Sequence, residues 1–347
     1  IGLILFMFII GMELDLKMIM KQAYTAVIMS HAGIIIPFTL GMGISYFIYA
    51  EFAPPGISFL SFALFMGITM SITAFPVLAR ILKERGLTKT NLGITALTCA
   101  AADDLTAWCV LAAVIALVKS GSSVSVLYTI GFAIGYLIIM FTVIRRALQR
   151  LEALYHNKEK KRTAIIAMLF LLLIVSSYIT SAIGINALFG AFIAGVIMPS
   201  GFSFRKIVVD KIEDVSLILL LPLFFVVTGL KTQIGLLNQA HLWTTFGWLL
   251  LVAVGGKLGG VSIAAKVVGQ SWKDSLSLGV LMNTRGLMQL IVLNIGYDLG
   301  ILSPEIFAMM VLMALVTTFM TGPALDLINW LMPEKKSSPV TGNEKVP

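Results

Sequence analysis

The 347 residues are 59% hydrophobic and only 12% charged, with a mean hydropathy of +0.98. Soluble domains carry about 25% charged residues, so a soluble globular fold is excluded and an integral membrane protein is indicated. The net charge of +8 does not point to nucleic acid, because the basic residues sit in short loops between apolar runs rather than in a basic domain.

Eleven apolar segments follow one another, at 1–12, 23–50, 58–82, 92–118, 124–144, 164–183, 185–199, 215–230, 242–268, 275–295 and 306–332. The first is too short to span and is headed by Ile1 rather than Met. The chain is therefore expected to begin inside a spanning helix, with earlier segments and any targeting sequence missing. Helices are the expected spanning structure, since each satisfies its own backbone hydrogen bonds in lipid. Lys and Arg cluster in alternate connections: at 17–21, 80–89, 145–162, 205–211, 266–273 and 335–336. The intervening loops hold little beyond Lys119 and Lys231. Basic loops face the cytoplasm, so the alternation supports the segmentation and predicts a cytoplasmic C-terminus.

The connection 145–162 reads as a basic helical linker, and 201–214 as a stretch along the membrane surface. The tail 333–347 is polar, expected to be disordered, and too short for a nucleotide-binding domain. Trp243, Trp248 and Trp330, near segment ends, read as interfacial anchors.

Asp103 and Asp104 stand adjacent in the middle of 92–118. Two carboxylates at that depth cost several kcal/mol if ionised in an apolar medium. A helix cap does not explain them, since about a dozen apolar or small residues precede them in the run. They read instead as an ion or proton site. Cys99 and Cys109 share this run and give neither a disulfide framework nor a metal spacing.

Lys257, in Gly255-Gly256-Lys257-Leu258-Gly259-Gly260, lies too far from its segment ends to snorkel. It therefore needs a buried partner, and Asp103 and Asp104 are the acidic residues at comparable depth. The glycines around it allow another helix to approach closely.

Arg285 follows in Asn283-Thr284-Arg285-Gly286, a run that predicts local unwinding at mid-membrane. Segment 58–82 carries a similar interruption at Ser71-Ile72-Thr73-Ala74-Phe75-Pro76, where Pro76 removes an N–H and Thr73 is placed to bond the freed carbonyl. Taken alone, Pro76 fits an ordinary kink equally well.

Each interruption sits in the middle member of a three-segment group, 23–118 or 242–332, and by the loop charges the groups begin on opposite sides. That is the pattern of an inverted repeat with two broken helices and a midplane ion site. Arg285 is then expected to offset the negative ends of the broken pair. His31 reads as a packed or interfacial histidine, and Glu13 and Asp15 as solvated at a segment end. Neither a Walker A motif, a dinucleotide fingerprint nor a nucleophile elbow is present. Enzyme chemistry, cofactors and nucleotide partners are accordingly not expected.

Thr73-Ala74-Phe75-Pro76-Val77-Leu78-Ala79-Arg80, the Asp103-Asp104 pair, Lys257, Asn283-Thr284-Arg285-Gly286 and Glu13-Leu14-Asp15-Leu16 together resemble the monovalent cation:proton antiporter-2 family. Within it the likeness is to bacterial sodium/proton antiporters and to the plant cation/proton exchangers. The resemblance spans nearly the whole chain. It implies an all-α polytopic antiporter fold of thirteen helices with two broken, crossing helices, of which about eleven are present here. It implies a core domain (23–118 and 242–332) moving against dimerising scaffold helices (119–241), with 1–22 as the end of an early scaffold helix.

By the same resemblance Asp104 binds the transported monovalent cation or proton, Asp103 pairs with Lys257, and Lys257 can release a proton. Thr73, Asn283 and Thr284 belong to the broken-helix site, and Arg285 compensates helix ends. Asp rather than Asn at position 103 resembles the electrogenic members, which exchange two protons for one sodium. Plant exchangers often carry Glu where this chain has Gln289, so plant-like potassium selectivity does not carry over. The function implied is exchange of sodium, or potassium, for protons across the plasma membrane by a homodimer. A cation channel using the acidic pair as a selectivity site, or a sodium-coupled organic solute symporter of similar architecture, are the alternatives at this point.

Overall fold

A computed structural model describes residues 2–13, 23–120, 123–155, 162–199 and 221–333. Every regular element among them is helical. In chain order these are α1 (Gly2–Glu13), α2 (Ala23–Phe52), α3 (Phe59–Ser71), α4 (Phe75–Glu84) and α5 (Asn91–Ser120). Next come α6 (Ser123–Ile139), which runs through a π-turn at Met140–Ile144 into α7 (Arg145–Tyr155), then α8 (Arg162–Ala182), α9 (Ala187–Val196) and α10 (Leu221–Lys231). The last group is α11 (Ala240–Val254), continued through a second π-turn at Gly255–Gly259 into α12 (Gly260–Val267), then α13 (Trp272–Met282), α14 (Leu287–Asp298) and α15 (Pro304–Leu331).

Six spans are long and apolar enough to cross a membrane, and the pair α13–α14, bent by 43° at its break, forms a seventh. Four shorter apolar helices, α1, α8, α9 and α10, fall in the remaining expected segments. The molecule is an all-α multi-pass membrane protein. The connection after 144 is helical as far as Tyr155. The expectations for 201–214, the tail after 333 and the side chains of Glu13 and Asp15 fall outside the described residues.

The two breaks are built locally. Ser58 caps α3, its side chain accepting from the Ser61 N–H, and the chain leaves the helix at Ile72, where ψ opens to 134°. Ala74 is extended too, and Pro76 stands in the first turn of α4, where its missing N–H has no helical acceptor to lose. Pro76 therefore starts a second half-helix rather than kinking a continuous one. Ser271 caps α13, and α14 begins only after Gly286. The breaks cross and join through one backbone hydrogen bond, Ala74 N–H to Thr284 O at 3.0 Å. Each broken pair lies between flanking spans, α2 and α5 in one half and α11–α12 and α15 in the other, which makes the inverted repeat.

Small residues allow the helix crossings. Gly11 of α1 and Gly195 of α9 lie against each other's backbone, and a Cβ on Gly11 would stand 2.9 Å from Val196 N. Gly256 and Gly260 receive Pro37 and Ile36 of α2, as their sequence context suggests. Gly255 and Gly259 have open space beside them; they belong instead to the π-turn that carries Lys257. Trp243, Trp248 and Trp330 are all exposed on the outer surface, which suits residues at a lipid interface.

Candidate functional site

Asp103 and Asp104 occupy the middle of α5 with no exposed surface, and Lys257 is equally buried. Successive helix positions point about 100° apart, so the two carboxylates look in different directions. Asp103 meets Lys257, with Nζ 2.8 Å from Oδ2. The same ammonium donates to the Gly33 carbonyl of α2 at 2.8 Å and to the Ser71 carbonyl at the end of α3 at 2.5 Å. An ammonium has three protons to donate, and here each has an acceptor.

Asp104 faces the other way, toward the first residue of α4. The Phe75 backbone N–H is the peptide group that acts on its carboxylate, at the positive end of that half-helix. Apart from that peptide group, no protein donor reaches either Asp104 oxygen, and Asp103 Oδ1 has none. Three carboxylate oxygens at the centre of the fold are thus free to ligate a cation or take a proton.

Thr73 lies in the first break. Its hydroxyl stands 2.6 Å from Asp103 Oδ2 and 3.1 Å from the Met282 carbonyl that ends α13. The expected bond to a carbonyl freed by Pro76 is not made, because the extended backbone at the break carries the side chain to Asp103 and to the end of α13. Arg285, wholly buried, donates to the carbonyls of Thr69 at 3.0 Å and Met70 at 2.7 Å. Together with Lys257 on Ser71, two cations thus take the last three carbonyls of α3, the negative end of a half-helix. Arg285 also reaches Gln289 Oε1 at 3.3 Å, and its own backbone N–H and C=O are both bonded by the Thr318 hydroxyl.

The other residues of the second break stand further from the carboxylates. Thr284 donates to Leu281 O at 2.7 Å and meets Thr321, while Asn283 turns its amide toward Met320. Thr284 reaches the first break only through its carbonyl. His31 bonds Val27 O one turn back and is exposed. Among the described residues no cluster of three or more His, Cys, Asp or Glu stands together.

A cavity of about 1000 Å³ approaches the site. Arg80, Lys83 and Glu84 of α4 line it together with Gly286, Thr318 and the buried Arg285. Pro76 and Val77 of the first α4 turn line it, and Asp104 does not.

The sequence pattern located both breaks and left the partner of Lys257 open between Asp103 and Asp104; the resemblance named Asp103, where the structure has the contact. Neither pointed to the Gly33 and Ser71 carbonyls, the π-turn or Thr318. A proline four residues after Gly33, at position 37, was the available signal for the first of these.

Comparison with known proteins agrees with this architecture. The model of a family described as sodium/hydrogen exchanger, transmembrane, matches residues 1–329. The Na(+)/H(+) antiporter NhaS4 of Synechocystis is 41% identical over 324 residues, covering 93% of this chain and 79% of that protein. Cation/H(+) antiporter 17 of Arabidopsis thaliana is 40% identical over 324 residues, again 93% of this chain but only 39% of the plant protein. The solved structure of the sodium proton antiporter MjNhaP1 from Methanocaldococcus jannaschii superposes with a TM-score of 0.71 over 96% of this chain and 85% of that one, at 16% identity. Broken helices that cross at a buried acidic pair, and a family match over almost the whole length, lead to one assignment: the chain belongs to the transmembrane sodium/hydrogen exchanger family.

Proposed function

We propose that this chain exchanges sodium for protons by alternating access, with Asp104 as the carboxylate that holds either the cation or a proton. The observation that carries this reading is the wholly buried Asp103–Lys257 pair beside an equally buried Asp104 with no side-chain partner. In the resting state Lys257 neutralises Asp103 and a proton neutralises Asp104. Entry of Na⁺ displaces the Asp104 proton and separates Lys257 from Asp103, and the lysine then gives up its own proton. Two protons leave for one sodium bound, so one net charge moves per cycle and turnover couples to voltage at about 2.3 kcal/mol per 100 mV.

Asp103, Asp104, Lys257 and Thr73 carry the ion chemistry. Asn283 and Thr284 shape the second break, and Arg285 holds the end of α3. Residues 23–118 and 242–332 form the moving core, and 119–241 the scaffold of a homodimer in the plasma membrane. The alternation of basic loops supports a cytoplasmic C-terminus and a cytoplasmic position for Arg80 and Lys83. Sodium is favoured over potassium by the name of the 41% identical cyanobacterial relative and by neutral Gln289.

The test is proton movement in sealed proteoliposomes of acidic lumen. Addition of sodium is expected to drive protons out, faster when a potassium–valinomycin clamp sets a favourable voltage, and Asp104→Asn to abolish the response. Sodium uptake with no proton movement, or exchange that survives Asp104→Asn, overturns the reading. Voltage-independent exchange overturns the two-for-one stoichiometry.

A further inference from the structure

We propose that Pro37 is a positioning residue for Lys257, acting through the backbone carbonyl of Gly33. In a continuous α-helix the carbonyl of residue 33 accepts the N–H of residue 37. Pro37 lies inside α2 and has no N–H to give. The Gly33 carbonyl is left without its helical donor at the depth of the carboxylates, and Lys257 donates to it at 2.8 Å.

The neighbouring contacts fit this use of the proline. Gly33 has no side chain to block the approach; a Cβ there would stand 2.9 Å from Val261 and 3.7 Å from the Lys257 nitrogen. Gly256, one residue before the lysine, packs against Pro37 itself, with a would-be Cβ 3.2 Å from the Pro37 Cα. The lysine's second carbonyl, from Ser71, is likewise one that a helix interruption has released. Two breaks in regular structure, a proline in α2 and the end of α3, therefore supply backbone acceptors to one buried ammonium. Neutral carbonyls suit that task. They hold the lysine whether or not it is paired with Asp103, and they add no charge that would compete for the cation.

Restoring the N–H at position 37 returns the Gly33 carbonyl to its helix and weakens the hold on Lys257. A cation entering the site then displaces the lysine more easily. This inference rests on the exchange reading above, so wild-type protein is assayed first; if it shows no sodium-driven proton movement, that reading fails independently. Given exchange, Pro37→Ala and Pro37→Leu restore the same N–H with different side chains. Both are expected to lower the apparent KM for sodium roughly tenfold, the scale of one hydrogen bond to a charged group.

In a Lys257→Gln background the same substitutions are expected to change sodium affinity less than twofold, read as sodium-induced thermal stabilisation of purified protein. Pro323→Ala, which restores an N–H at the proline inside a different helix, α15, is the control and is expected to leave KM unchanged. An equal effect with and without Lys257, or a fall in maximal rate at constant KM, overturns the proposal. If Pro37→Ala fails to fold, folding rescued by Lys257→Gln supports the proposal, and failure in both backgrounds overturns it.

Discussion

Arg285 and Lys257 are both buried cations, yet their surroundings give them different work. Lys257 has an anion within reach, 2.8 Å from Asp103 Oδ2; Arg285 has carbonyls, Thr69 and Met70, and the amide of Gln289. A guanidinium whose acceptors are backbone dipoles at a helix end is a structural cap. Arg285→Ala leaves two buried carbonyls without donors, at about 1–3 kcal/mol each, and a clear fall in the thermal midpoint of purified protein is expected. Arg285→Lys should recover only part of it, since an ammonium does not reproduce the planar fork. An unchanged midpoint in Arg285→Ala would remove the cap from the account. At this scale the sequence showed the charges and not the dipoles. Lys257, Arg285 and the aspartates announce themselves because charge is rare at mid-span, whereas a carbonyl becomes an acceptor only through the backbone geometry around it. That is why an aspartate partner for the lysine was legible and its Gly33 and Ser71 partners were not.

Among the elements, the two broken spans and the short α9 are held by different means. The breaks are polar junctions, tied by Ala74 N–H to Thr284 O and by the Thr73 hydroxyl. The crossing of α1 with α9 is apolar and depends on bare backbone. A Cβ at Gly195 would lie 2.9 Å from both Gly11 Cα and Met12 N, and those atoms cannot swing aside as a flexible side chain would. Gly195→Val is therefore expected to force the helices apart, at the 1–3 kcal/mol typical of overpacking or above it. The check is a lower yield of monodisperse protein and a lower thermal midpoint, and a variant as stable as wild type would show that the crossing can slide. Broken helices were readable because Pro76 and the Asn283–Gly286 run violate helix rules where a span demands regularity. The π-turn at Gly255–Gly259 was not, since a glycine run is equally compatible with close packing, and only its neighbours reveal which glycines pack.

For the whole molecule the question is which side of the membrane the site faces. The large cavity is lined by Arg80, Lys83 and Glu84 of α4 and by Phe225 of α10 and Leu290 of α14. One turn past those residues Asn294 donates to the Thr228 hydroxyl at 3.0 Å, and both are buried. A further turn on, Lys231 meets Asp298 at 2.7 Å and stands over the Tyr297 ring. These two layers tie α10 to α14 beyond the residues that line the cavity, and under the alternating access proposed above they part for the opposite state to form. Their combined contribution is modest, about 0.5–1.5 kcal/mol for the buried neutral bond and 0–1 for the half-exposed ion pair. That is enough to move an equilibrium between two states roughly tenfold. Asn294→Ala combined with Asp298→Ala should therefore populate the opposite-facing state. The readout is a cysteine at position 79, which lines the open cavity, placed in protein whose Cys99 and Cys109 are replaced by serine. Its labelling by an impermeant maleimide supplied from the cavity side is expected to slow in the double variant, by roughly tenfold at most. Unchanged labelling would mean that these contacts do not set the balance between the two faces, and that the sealing energy resides in the apolar packing of α1 against α10.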